Sequence, residues 1–380
     1  MMDESEVMKI FEEVAGALLN PHIDQWKKQG KKVIGYNCSY FPEEIALAAD
    51  MITFKIRGTG CTETSLADSF LGRTNCSFTR SSLENLLQGR YDFLDGAIFT
   101  YSCDHMCAAH NNWAAQGKLP LIENIIGVPH TQTEHGRKWI KEEFSKIKEK
   151  FEEHFDVKIT DDKLREAITT SNETHSLQKR LYALRNKDQP PITGSQVLSV
   201  QVAESSMPRD EYNRQLKTLL EELENKDGVP EFSHRLMVSG SVIDDPAMLN
   251  IIEETGAMVV ADAFCFGAGK ALRDPIKEKD DPLDAIVEKY YSQIICPRMF
   301  DGYPERLSFM LDVAKQANVE GLVLQNIFNC DLHGIDNVML ETDFEENGIP
   351  VLILEREYNL LADAGRIRTR VQAFLEQIRR

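Results

Sequence analysis

The sequence predicts an α/β protein: parallel, doubly wound sheets in its first and last thirds, with a mainly helical segment between them. Three observations carry this. In residues 1–130, and again in 233–380, short apolar runs alternate with amphipathic stretches, as strands separated by crossover helices do. In residues 131–232 the apolar period changes to three and four, with charges on the other faces, as in helices. The chain has 380 residues, enough for two domains of ordinary size.

In the first third, Lys31–Cys38 (KKVIGYNC) reads as a strand ending at a turn, and Glu43–Met51 as a short helix whose first turn suits Pro42. Ile52–Gly58 alternates as a strand does, and Ser81–Gly89 has the serine start and glycine stop of a helix. Asp95–Cys103 and Pro120–Pro129 are the next two strands. The middle holds GRKWIKEEFSKIKEKFEEHF, TDDKLREAITTSNETHSLQKRLYALR and RDEYNRQLKTLLEELEN as helices, broken by KDQPPITGS. In the last third His234–Ser241, Ala257–Cys265, Gly321–Cys330 and Ile349–Glu355 read as strands. Pro246–Gly256, Asp281–Ser292, Pro304–Asn318 and the closing RIRTRVQAFLEQIRR read as helices.

Composition removes several function classes. The chain is 42% hydrophobic and 27% charged, and no window approaches the ~18 uninterrupted apolar residues of a membrane span. The N-terminus, MMDESEVMKIFEEV, is acidic and amphipathic with no basic or apolar leader pattern, so a cytoplasmic protein is expected. A net charge of −18 repels phosphate backbones and anionic membranes. An anionic substrate would need a local basic pocket. GxxxxGK[ST], a GxGxxG after the first strand and GxSxG are all absent, and CFGAGKAL lacks the phosphate-loop spacing. ATP-driven chemistry would therefore need a second protein.

The 8 cysteines are the informative residues. In a reducing compartment they are not a disulfide framework. Buried, inert thiols are the plain reading and metal or cluster ligation the sharper one. FTYSCDHMCAAH (Phe99–His110) concentrates two cysteines and two histidines. Its start is echoed: DGAIFTYSCD (Asp95–Asp104) and EGLVLQNIFNCD (Glu320–Asp331) each run Gly, apolar strand, Cys-Asp. Chemistry in open α/β sheets sits beyond the carboxyl ends of strands, which would let Cys103 and Cys330 face each other across a cleft. Cys38, Cys61, Cys76 and Cys265 also follow apolar strands or lie in the loops after them. Thiolates select zinc, copper(I) or iron–sulfur clusters. The close CxxC pairs of a zinc ribbon are missing, and widely separated single cysteines fit a cluster held between domains better.

KKVIGYNCSYFPEEIALAADM, NCSFTRSSLENLL, LDGAIFTYSCDHM, RLMVSGSVIDDPAMLNIIEETGAMVVADAFC, NCDLHGIDNVML and GIPVLILEREYNLLADAGRIRTRVQAFLEQI resemble the 2-hydroxyacyl-CoA dehydratase and benzoyl-CoA reductase family, in particular its smaller iron–sulfur subunit. The resemblance runs from about Lys31 to Ile378. It implies two flavodoxin-like domains with a [4Fe-4S] cluster between them, ligated by Cys76, Cys103 and Cys330. It implies a larger paralogous subunit or a second copy of the chain as partner, an acyl-CoA substrate, and a separate ATP-hydrolysing iron–sulfur activator. The implied chemistry is one-electron reduction of a CoA thioester: dehydration of an (R)-2-hydroxyacyl-CoA through a ketyl radical, or reduction of a conjugated aromatic ring. Relatives with a double-cubane [8Fe-9S] cluster use about twice as many thiolates; Cys61, Cys107 and Cys265 are the extra candidates. A non-catalytic scaffold subunit is the remaining alternative.

Other residues are weighed against simpler roles. Cys107 follows Cys103 by four, a spacing that shares a face within a helix. Glu63 is a candidate base for a substrate proton and His105 a candidate acid or base near neutral pH. Glu43 and Glu44 are further candidate bases that first-turn charge explains more simply, Arg57 and Arg80 fit surface pairing or CoA phosphates, and Ser39 and Tyr40 lie at the end of the first strand, where they could touch substrate. The basic closing helix, including Arg379 and Arg380, suggests a docking face or plain complementarity to a helix C-terminus.

Overall fold

A computed structural model describes residues 5–229, 231–292, 296–360 and 363–378. Arg379 and Arg380 lie outside the described residues. The first part of the chain runs α1 (Glu6–Gly16), α2 (Pro21–Lys28), β1 (Val33–Tyr36), α3 (Glu43–Ala48), β2 (Ile52–Lys55), α4 (Ser77–Leu87), β3 (Gly96–Ile98) and α5 (Asp104–Gln116). The middle is α6 (Glu134–Phe155), α7 (Asp161–Arg185), α8 (Gly194–Glu204) and α9 (Arg209–Glu224). Then follow β4 (Arg235–Gly240), α10 (Ala247–Glu253), β5 (Met258–Asp262), α11 (Ala268–Ala271), α12 (Pro282–Ser292), α13 (Tyr303–Gln316), β6 (Gly321–Ile327), α14 (Asp331–Glu346), β7 (Val351–Arg356) and α15 (Ala364–Ile378).

All strand pairings are parallel, in the orders β2-β1-β3 and β5-β4-β6-β7. Each sheet thus begins with a strand that has its successor on one side and the next strand on the other, the flavodoxin-like arrangement. The reversal of direction opens a crevice beyond the carboxyl ends of β1 and β3, and of β4 and β6. The expected strand Pro120–Pro129 does not form. It follows the edge of β3 and touches it at two isolated bridges, Leu121 to Ala97 and Ile126 to Thr100. A proline at each end and Glu123-Asn124 between them leave no uninterrupted run to pair.

The helical middle is divided between the two sheets: α6 and α7 pack with α3, while α8 packs on β5 and α10. Sequence reading missed α8. It is buried nearly all round, Val197 to Glu204 without interruption, and its polar residues Ser199, Gln201 and Glu204 are scattered and form no stripe. A capping box fixes its start: Thr193 Oγ1 accepts from Gln196 N, and the Gln196 side chain accepts from Thr193 N. The helix α14 was also missed, because its apolar residues are not all inward. Ile335 is 70% exposed and Val338 59%. In the closing helix, Arg366 pairs with Asp363 and Arg368 with Glu254.

Apolar packing crosses between the sheets, as where Phe78 meets Tyr358, and polar contacts add to it. Tyr358, after β7, donates its backbone N–H to Ser77 Oγ at the start of α4, 2.7 Å away. Its hydroxyl donates to Asp244 Oδ2, also at 2.7 Å, whereas Asp244 Oδ1 is buried with no hydrogen-bond partner among the described residues. Burial raises the Asp244 carboxyl from 3.8 to about 6. The fold therefore disfavours its charged form, and stability falls as pH rises from about 4 through 6. At about 1.4 kcal/mol per pH unit the loss is ~3 kcal/mol. Asp244→Asn is expected to raise the unfolding free energy, read from denaturant midpoints, by up to that amount at pH 7–8 and to give no gain at pH 4. Equal midpoints at pH 8 would refute it.

Candidate functional site

The two crevices face a common cavity of about 160 Å³. Six of the eight cysteines line it: Cys38, Cys76, Cys103, Cys265, Cys296 and Cys330. Their placement follows from the topology. Cys38 follows β1, Cys265 follows β5, and Cys296 follows α12. Cys76, Cys103 and Cys330 are the N-cap residues of α4, α5 and α14. An N-cap thiol lies at the positive end of its helix, where a thiolate is favoured.

Electrostatic neighbourhoods sort the six into two triads. Burial pushes the Cys103 thiol up to about 12, with Cys76 and Cys330 adding to the push. Burial raises Cys330 too, with Cys76 adding. On the other side burial pushes Cys296 up to about 12, with Cys38 and Cys265 adding. Cys38 is raised by burial and by Cys265, against the pull of Lys55 and Arg298. Each triad draws on both halves of the chain.

Polar contacts fix the thiols' supports. The Cys76 Sγ lies 3.2 Å from Thr79 Oγ1, and its backbone N–H donates to His105 Nδ1 at 3.3 Å. Asn329 precedes Cys330 with a left-handed φ of 65°, a conformation asparagine tolerates, and turns the chain into α14. Gly240, at the end of β4, has φ 117°, and a Cβ there would sit 1.9 Å from the Gln325 carbonyl oxygen. Only glycine lets β4 approach β6 this closely, and Ser241 follows it onto the cavity wall. Lys55 Nζ donates to Ser39 Oγ (2.7 Å) and to the Cys265 carbonyl (3.0 Å), joining the loops after β1 and β5.

The residues singled out from sequence separate here. Cys76, Cys103, Cys330 and Cys265 come together, with Ser39 and Tyr40 on the same wall. Cys61 is buried elsewhere and donates to the Glu63 carbonyl at 3.0 Å, while the Glu63 side chain is exposed. Neither lines the cavity. Cys107 does not either: Cys103 is extended (φ −163°, ψ 169°), so the pair does not share a helix face as i and i+4 would. His105 is outside the wall and serves the Cys76 amide. Sequence reading left out Cys296, which follows a helix, and did not name Cys38 as a ligand despite its place after a strand. Arg57 is buried and donates to the carbonyls of Val14, Ala15 and Ala17.

The donor set fits an iron–sulfur group. Six free thiols are a soft set, and a bound metal would deprotonate them even where burial raises the thiol, as at Cys38, Cys76, Cys103, Cys296 and Cys330. Among the described residues, no three His, Cys, Asp or Glu side chains close on a single ion. Thiolates on separate corners of a cluster stand farther apart than ligands around one ion.

Two flavodoxin-like sheets sharing a thiol-lined crevice define a two-lobed α/β protein with a cysteine site at its switch points. Sequence comparison agrees with this architecture. The chain belongs to the family described as 2-hydroxyglutaryl-CoA dehydratase, D-component, whose model matches residues 38–378. It is 27% identical over 378 residues to the (R)-phenyllactyl-CoA dehydratase beta subunit of Clostridium sporogenes, covering 97% of this chain and 99% of that one. It is 26% identical to the beta subunit of (R)-2-hydroxyglutaryl-CoA dehydratase from Acidaminococcus fermentans, covering 93% and 94%. A benzoyl-CoA reductase subunit from Thauera aromatica is 25% identical, with 86% of each chain covered. These relatives are named as subunits of dehydratases and of a reductase. Among the described residues no helix is long and apolar enough to cross a membrane.

Proposed function

We propose that this chain is the cluster-bearing subunit of an acyl-CoA enzyme driven by a separate ATP-hydrolysing activator, and that its cavity takes a double-cubane [8Fe-9S] group. That makes it a reductase component in the first instance. The carrying observation is the meeting of six cysteines in one cavity as two triads. Cys76, Cys103 and Cys330 would hold one half, and Cys38, Cys265 and Cys296 the other. When bound, such a group supplies low-potential one-electron chemistry, which is the cofactor's own.

The protein's residues position and enclose. The walls are apolar where Phe78, Met106, Phe264, Phe266 and Ile327 contribute, which keeps water away from a reacting centre. Tyr40 brings a buried hydroxyl with no hydrogen-bond partner among the described residues, a donor for a reacting atom or a cluster sulfur.

A second reading, favoured by the dehydratase names of the relatives, is a single [4Fe-4S] group on Cys76, Cys103 and Cys330 and radical elimination of water from an (R)-2-hydroxyacyl-CoA. Iron and acid-labile sulfide per chain, counted after anaerobic purification, decide between them: about eight irons is expected, and about four would establish the second reading. Zinc, or no metal under strict anaerobiosis, refutes both. Turnover with ATP, activator, reductant and a panel of acyl-CoA esters then assigns the substrate.

A further inference from the structure

We propose that Lys55, Arg273 and Arg298 are a fixed counter-charge that makes the Cys38–Cys265–Cys296 side of the cavity the place where an added electron resides. This rests on the two-triad reading above.

Lys55 ends β2 and is 3% exposed. Among the described residues its ammonium meets Ser39 Oγ, the Cys265 carbonyl and the face of Phe266, 4.1 Å from the ring centroid. Arg273 is 6% exposed; its Nε donates to the Gly269 carbonyl, and its two terminal nitrogens hydrogen-bond nothing among the described residues. Arg298 is 2% exposed and donates to the carbonyls of Tyr101, Val128 and Pro129. Both guanidinium carbons lie within 6 Å of the Tyr40 ring, at 5.9 and 5.8 Å. Among the described residues none of these three cations has a carboxylate in ion-pair range. Their buried neighbours do: Lys270 and Arg209 share Glu43 and Glu204, and Lys289 faces Glu44. A buried cation without an opposite charge is costly; Lys55 and Arg273 line the cavity, Arg298 stands behind it near Cys38 and Cys296, and together they call for an anion inside it.

The other triad is treated differently. It faces three helix N-termini, each equivalent to roughly half a charge. The nearby Arg80 is already paired with Asp68 at 3.0 Å. Full charges therefore outweigh partial ones on the Cys38 side. One electron passes from a low-potential one-electron donor, an iron–sulfur protein, to the thiolate-held group. The donor is oxidised by one electron and the group reduced by one; no bond breaks and no proton has to move. The added negative charge is placed beside the cations.

The test is a dye-mediated redox titration of the anaerobically purified holoprotein, read by electron paramagnetic resonance, with iron counted in every sample. Lys55→Met and Arg273→Gln are each expected to keep their iron and to weaken electron uptake about tenfold, ~59 mV lower for one electron. Lys55→Arg keeps the charge and should restore the wild-type value; Arg80→Gln, across the cavity, should leave it in place. If Lys55→Met fails to load, Arg273→Gln carries the comparison. About eight irons per chain with unshifted potentials, or a shift as large in Arg80→Gln, overturns the proposal and leaves the two-triad reading standing. About four irons in the wild type overturns that reading and this proposal with it.

Discussion

Serine at Cys38, Cys265 and Cys296 together is expected to halve the iron and sulfide bound per chain. Serine at Cys76, Cys103 and Cys330 is expected to remove the site more completely. The asymmetry follows from the supports. The second set caps three helices, has Thr79 beside one thiol, and sits at the switch points of both sheets. The first set hangs on loops after β1, β5 and α12, and its Cys265 is exposed at the cavity's edge. A serine hydroxyl is a poor substitute for a soft thiolate toward iron. Cys61→Ser and Cys107→Ser, which change thiols off the cavity wall, should leave the metal content unchanged. Colorimetric iron and sulfide assays on the four proteins are sufficient. Full metal content in the Cys38–Cys265–Cys296 variant would show that those thiols are spectators.

Methionine at Arg209 is expected to cost ~3–5 kcal/mol of stability, the effect of leaving buried charges without a partner. Arg209 pairs with Glu43 at 2.6 Å and with Glu204 at 2.7 Å, all three side chains being at most 5% exposed. Lys270 bridges the same two carboxylates at 2.7 and 2.6 Å, and the Tyr36 hydroxyl donates to Glu43. Burial by itself would raise the Glu43 carboxyl; Lys270 and Arg209 outweigh it and hold the group well below its usual range. A depressed carboxylate stabilises the fold above its ordinary value near 4.5, and that contribution is lost as pH falls toward the depressed one. Without Arg209, two carboxylates share one cation, so the loss should begin at higher pH. Denaturant midpoints across pH 3–8 measure both effects. Adding Glu204→Gln to Arg209→Met restores one-to-one pairing of Lys270 with Glu43 and should recover part of the loss. A cost under ~1 kcal/mol at neutral pH, the size of an exposed pair, would refute the prediction.

The parts of the site legible in sequence were those that repeat. Cys103 and Cys330 end equivalent strands of two similar sheets, so the shared Cys-Asp endings pointed to both. Cys265 was visible for the same reason, but the criterion admitted Cys61, which follows a strand yet is buried off the cavity wall with its thiol on the Glu63 carbonyl. Cys296 obeys no strand rule: its chain returns from α12, whose helix packs on α6 and α7. The signal for Lys55 was present but quiet. Lys55 takes an ordinary polar position in the alternating ITFKIRG, and only three-dimensional packing shows that it is buried with no carboxylate in ion-pair range among the described residues. The helix α8 was hidden because periodicity exposes half-buried elements and is silent on fully buried ones.

The spread of the six thiols along the chain also dictates an order of biogenesis. One triad needs residues 76, 103 and 330, the other 38, 265 and 296. Neither exists on a nascent chain that has made only its first sheet. Both come into being when β4, β5 and β6 have been synthesised and docked across the crevice. Metal delivered earlier would meet single, separated thiols. If the cavity takes the proposed group, its insertion would wait until both halves of the chain are made as far as Cys330 and docked, with the exposed Cys265 marking the side from which the cavity can be reached.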